Sequence, residues 1–203
     1  MSDNSAVSTV LNVLLCGATG FGFYKIGPSD HPYAFTACVI GFCHGLFGLV
    51  SSLSGDENAK KVADTTTSIM EIIPLPLVNV DLYLGAESNN IALGHGLFIV
   101  PLGVSVILNL FKGEGGGGDE SGEGGPLNTL KTLTVLGNIT SLLYLSINES
   151  SWNLAGMAFL AFMAQFGAKF FEEQVSEGSA EPVTYLSWSG FYVLTALAVT
   201  GEK

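Results

Sequence analysis

Apolar and polar positions along this chain alternate in long blocks rather than residue by residue. Seven apolar segments, at 7–24, 33–53, 68–84, 91–111, 128–147, 152–171 and 183–200, are separated by polar gaps. Most are near the length of about 20 residues that a helix, rising about 1.5 Å per residue, needs to cross a bilayer's hydrocarbon core. The pattern predicts an all-α fold, a polytopic membrane helical bundle of about seven transmembrane helices, built as one transmembrane domain over 1–203. Segment 68–84 is the exception. It is short, carries Glu71 and Asp81, and contains Pro74 and Pro76, which remove backbone donors and must distort a helix. Six spans plus a kinked or re-entrant piece is the alternative.

The gaps alternate in character. Those after the first, third and fifth segments are short, and those after the second, fourth and sixth are longer. The chain therefore reads as three hairpins plus a final helix. Tyr24, Tyr83 and Tyr144 stand near the first turn of each hairpin, where an amphipathic ring suits the membrane interface. Lys60, Lys61, Lys112, Lys131 and Lys169 lie on the side of the longer gaps, and only Lys25 and Lys203 on the other. By the positive-inside rule the N-terminus is then cytoplasmic and the C-terminus outside or luminal, in the plasma membrane or an endomembrane.

Composition strengthens this reading. Mean hydropathy is +0.46, and 12% of residues are charged against about 25% in soluble domains. Too few charges remain to cover a soluble surface. The chain has seven lysines, no arginine and a net charge of −11, which excludes the basic footprint that nucleic acid requires. The opening residues MSDNSAVST lack a positive n-region, so the first segment is expected to stay as an anchor. Cys16, Cys38 and Cys43 all lie in apolar segments and read as small buried thiols rather than a disulfide framework. Segment 113–126 is rich in glycine and acids and predicts a flexible loop.

The chemistry-bearing residues are sparse. Cys16 to Gly22 has the glycines of a dinucleotide fingerprint, but Tyr24-Lys25-Ile26-Gly27-Pro28 follows and cannot open the long helix that fingerprint requires. A tetrapeptide echo is more informative: His44-Gly45-Leu46-Phe47 and His95-Gly96-Leu97-Phe98 each fall in the second helix of a hairpin, as in a parallel duplication. Ionisable and polar groups inside spans are costly and often functional. His44, His95, Asp81, Glu71, Asn138 and Gln165 are the transport or polar intramembrane candidates. Neutral histidines acting as interhelical glue are the structural alternative. Gly41 and Gly45, and Ala164 and Ala168, have the small-xxx-small spacing that brings helices together. The sequon at Asn148 lies in the fifth gap.

No catalytic residue, cofactor or metal site stands out, so the chain reads as non-enzymatic. The expected function is an accessory or scaffold subunit in the lipid bilayer, packed against other membrane protein subunits or against itself. The alternative is a small channel or transporter for protons, metal ions or a small solute, in which His44, His95 and Asp81 meet in one wet cavity.

Overall fold

A computed structural model describes residues 3–86, 90–97, 103 and 126–201. Of the predicted segment 91–111 it therefore covers 91–97 and 103. The predicted loop 113–126 lies outside the described residues except for Pro126. The fold is all-α, with no strand among the described residues.

The helices are α1 (Asp3–Lys25), α2 (Pro32–Ser54), α3 (Glu57–Ile72), α4 (Pro74–Gly85), α5 (helical residues 90–97), α6 (Pro126–Asn148), α7 (Trp152–Phe162), α8 (Ala168–Gln174) and α9 (Ala180–Val199). A π-helical turn, Met163–Gly167, joins α7 to α8. Five stretches among the described residues are long and apolar enough to cross a membrane: Ser5–Lys25, Pro32–Ser54, Glu57–Gly85, Trp152–Gln174 and Ala180–Val199.

Residues 54–67, expected as a gap, are largely helix. The cause lies in the caps. Gly55 ends α2 at φ 65, with its N–H on the Ser51 carbonyl, a conformation that glycine adopts without penalty. Asp56 then caps α3, its carboxylate accepting from Asn58 N at 3.2 Å. Two residues thus suffice to stop one helix and start the next. Ala59, Ala63, Thr66 and Met70 form the inward side of α3, which packs on α2.

The predicted segment 68–84 becomes the second part of a longer, broken helix. The break falls at Ile73, before Pro74, which is tolerated at the first position of α4 because no helical N–H is needed there. This weakest-looking span is the most enclosed: 61% of its apolar window is buried, against 28% in α1. The buried polar groups of α4 find their partners on neighbouring helices, Asp81 at Ala34 of α2 and Asn79 at Asn138 of α6.

Six helices close a ring in the order α1, α2, α4, α6, α7, α9 and back to α1, with α3 outside against α2. Leu15, Ala37, Cys38, Val78, Leu142, Met157, Phe191 and Tyr192 fill the interior. The last helix closes the ring by packing on both α1 and α7. The α7–α9 seam is a reciprocal fit: Leu194 lies over Gly156 and Leu160 over Gly190. Outside, Val10, Val13, Val50, Leu143, Phe159 and Leu186 are exposed. Burial of this kind on the inside and apolar residues on the outside is what lipid permits and water penalises.

Candidate functional site

His44 sits where α2, α3 and α9 meet and is 5% exposed. Its Nδ1 is 2.9 Å from Thr66 Oγ1, and its Nε2 3.2 Å from the Tyr185 hydroxyl. The Thr66 hydroxyl already donates to the Ala63 carbonyl at 2.8 Å. It therefore accepts from His44 Nδ1–H. Donation from Tyr185 to Nε2 leaves the ring neutral, whereas acceptance by Tyr185 requires a proton on Nε2. The Tyr185 ring also stacks on the imidazole, centroids 5.7 Å apart.

His95 on α5 has the same arrangement with different partners. Its Nδ1 is 2.7 Å from Asn138 Oδ1 and its Nε2 2.9 Å from Ser141 Oγ, both on α6. Asn138 donates its Nδ2 to the Thr134 carbonyl, and its Oδ1 also accepts from Asn79 Nδ2 at 3.0 Å. His95 Nδ1 must therefore be the donor. The Ser141 hydroxyl has one proton and two acceptors, His95 Nε2 and the Tyr83 oxygen at 2.7 Å. Donation to Nε2 leaves the ring neutral, whereas donation to Tyr83 requires a proton on Nε2. Tyr83 stacks on this imidazole at 5.3 Å. It is 2% exposed, so it is a buried member of the network and not the interfacial tyrosine the sequence predicts. Tyr24 and Tyr144 are exposed. Both His-Gly-Leu-Phe histidines thus use Nδ1–H as donor and pack against a tyrosine.

The remaining candidates satisfy backbone. Asp81 Oδ2 accepts from Ala34 N at 2.5 Å. Ala34 is the third residue of α2, whose N-cap His31 makes no side-chain cap bond. A carboxylate from α4 therefore caps α2, at the end where exposed N–H groups and the helix dipole favour negative charge. Glu71 pairs with Lys131 across α3 and α6. Gln165, in the π-helical turn, donates its Nε2 to the Glu71 carbonyl at 2.5 Å, beside the break at Ile73. Neighbouring side chains commonly satisfy backbone left open at a helix break in this way.

These positions are not brought together as the transport expectation requires. His44 lines cavities between α1, α2, α3 and α9. His95 lines a cleft of about 510 Å³ between α5 and α6. Asp81 lines another cavity beside His31 and Glu149. Helix order explains the separation, since the three side chains face different seams of the ring. No group of three His, Cys, Asp or Glu side chains able to hold a metal occurs among the described residues.

The small residues also divide. A Cβ on Gly45 would lie 3.3 Å from the Asn12 carbonyl and 2.7 Å from Cys16 Sγ on α1, whereas one on Gly41 would lie 2.7 Å from the Tyr192 ring on α9. The pair serves two neighbours, not one shared seam. Ala164 and Ala168 are buried, in the π-helical turn and α8, which pack on α9. Asn148 is exposed at the end of α6.

Sequence reasoning missed Thr66, Ser141, Gly48 and Tyr185. Hydroxyls and glycines are too common in helices to stand out singly. The available signal was the position of Thr66 and Ser141 on helices flanking the two histidines. No curated protein and no solved structure matches the chain. Residues 28–199 match the family described as Domain of unknown function (DUF4791), from the turn before α2 to the end of α9, and the chain belongs to that family.

Proposed function

We propose that this protein is a non-enzymatic multi-pass integral membrane protein that serves as an accessory subunit, packing one face against another membrane protein. The carrying observation is the outer face of α1. Val10, Val13 and Leu14 are exposed there beside Gly17, and nothing lies within 4 Å of a Cβ built on Gly17 or Gly20. A glycine dip in an apolar ridge lets another helix approach closely. The commitment of Asp81, Gln165 and both histidines to internal hydrogen bonds supports the same reading. Their separate settings weigh against a channel or transporter for protons, metal ions or a small solute built from His44, His95 and Asp81.

In the proposed topology the N-terminus and segment 113–126 are cytoplasmic, and Glu149 and the C-terminus lie on the other side. Seven spans require α6 and the 91–111 segment to cross as well. Single cysteines at Gly117 and Glu149, in a background lacking Cys16, Cys38 and Cys43, should label from opposite sides of sealed vesicles. Labelling of both from one side overturns the topology.

The subunit reading is tested by affinity purification of the full chain in mild detergent. A stoichiometric membrane partner is expected, and Gly17→Leu should lose it while the purified chain keeps its thermal midpoint. Recovery of the chain alone, or a partner indifferent to Gly17→Leu, counts against the proposal.

A further inference from the structure

α3 lies outside the six-helix ring against α2, with a joint at each end. Gly55 ends α2 at φ 65, and Asp56 alone separates it from Glu57. At the other end the helix breaks at Ile73. Pro74 and Pro76 bring no N–H to the Met70 and Ile72 carbonyls four residues back, and the Glu71 carbonyl takes a donor from Gln165.

The two ends are held very differently. Of the sixteen residues of α3, Met70 and Ile72 are buried, both in its last turn. There Glu71 pairs with Lys131 of α6, and the Tyr192 hydroxyl of α9 donates to Met70 Sδ at 3.2 Å. The end at Ile73 is thus pinned. From Glu57 to Ala63 every residue is exposed or half-buried. Thr66 Oγ1, 2.9 Å from His44 Nδ1, ties this arm to α2. The Thr67 and Ser68 hydroxyls turn back to the Ala63 and Asp64 carbonyls of α3 itself. Few buried apolar contacts mark a segment that opens at low free energy.

Open space lies along the arm. Ala63, Asp64 and Thr67 border a cavity of about 430 Å³. Thr67, Met70 and Glu71 border a smaller chamber of about 50 Å³ that reaches Leu15 and Trp188, more than the roughly 15 Å³ that one water needs. His44, Thr67, Glu71 and Tyr185 line both spaces, so α3 is a wall common to the two.

Sixteen residues at about 1.5 Å each make α3 roughly 24 Å long. A swing of about 10° at Ile73 carries Glu57 roughly 4 Å, within the reach of about 7 Å that Gly55 and Asp56 supply. Thr66, seven residues from the pivot, moves about 2 Å, which takes its hydroxyl out of hydrogen-bond range of His44.

We propose that α3 is a hinged wall: it pivots at Ile73, gives at Gly55 and Asp56, and is latched by Thr66 on His44, so that release opens the chamber at Trp188 to water. The device is independent of the α1 outer face and stands whether or not that face binds a partner.

Trp152 and Trp188 are the two tryptophans of the chain. Trp152→Phe leaves Trp188, 2% exposed, as the sole reporter, and acrylamide quenching of the full chain in neutral detergent reads its access to water. Thr66→Val removes the latching hydroxyl at nearly constant volume and should raise the quenching constant about fivefold, as befits one hydrogen bond. Thr66→Ser keeps the hydroxyl and should quench like the parent. Ser141→Ala, in the His95 network, should change nothing, which separates this wall from general loosening. Unchanged quenching in Thr66→Val, an equal rise in Ser141→Ala, or Thr66→Ser behaving as Thr66→Val would overturn the proposal. If Thr66→Val does not fold, spin labels at exposed Asn58 and Lys169, with Cys16, Cys38 and Cys43 replaced, decide the case. Two distance populations about 4 Å apart are expected from the swing, and a single one would refute it.

Discussion

Replacing Gly48 by alanine probes the α1–α2 seam with one methyl group. The new Cβ would lie 2.0 Å from Asn12 Oδ1, 2.6 Å from its Cγ and 2.9 Å from its Nδ2. The clash is with a whole carboxamide that is 1% exposed, so the group must turn and release its bond to the Ser8 carbonyl. Losing that bond costs about 1 kcal/mol, and overpacking costs about 1–3 kcal/mol more. Alanine's helix propensity returns about 1 kcal/mol over glycine in water, and less where the detergent-unfolded chain keeps its helices. The net expectation is destabilisation by about 2 kcal/mol. Equilibrium unfolding in mixed micelles, followed by the fluorescence of buried Trp188, measures it. In an Asn12→Ala background the obstacle is gone, and Gly48→Ala should fall within about 0.5 kcal/mol of neutral, a coupling well above the additivity error of independent sites. Equal costs in the two backgrounds would refute the packing of Asn12 over Gly48.

Asp81→Ala should cost about 1–2 kcal/mol by uncapping α2, and Asp81→Asn much less, because an amide oxygen still accepts. Hydrogen exchange at the Ala34 amide reads the cap directly, and equal protection in both variants contradicts the assignment. Gln165→Leu should cost about 1–3 kcal/mol by orphaning the Glu71 carbonyl at the helix break; an unchanged thermal midpoint would remove that role. Gly190→Ala should cost about 1–3 kcal/mol, because its Cβ would meet Leu160 Cδ1 at 2.9 Å. Adding Leu160→Ala should relieve that clash, and a double variant no more stable than the sum of its parts would show that the α7–α9 fit is misread.

The helices long and apolar enough to cross a membrane were legible in the residues alone. Segments read at 33–53, 152–171 and 183–200 correspond to Pro32–Ser54, Trp152–Gln174 and Ala180–Val199, because a run of apolar side chains bounded by polar ones is a local property. The caps at Gly55 and Asp56 were equally local, yet they were read as a gap, since the stretch from Glu57 to Thr67 is polar and its only apolar face rests on α2. His44 and His95 were legible as rare ionisable groups. Their surroundings were not. Tyr185 reaches His44 from 141 residues along the chain, and Asn138 reaches His95 from 43, once α9 closes the ring and α6 lies beside α4. In a soluble helix the polar face betrays which side is buried. Here the outward-facing and core-facing sides of most helices are both apolar, so no periodicity marks the inward direction. Only the packing of the six helices decides that Asp81 caps α2, that Gln165 mends the break before Pro74, and that the two histidines occupy separate seams.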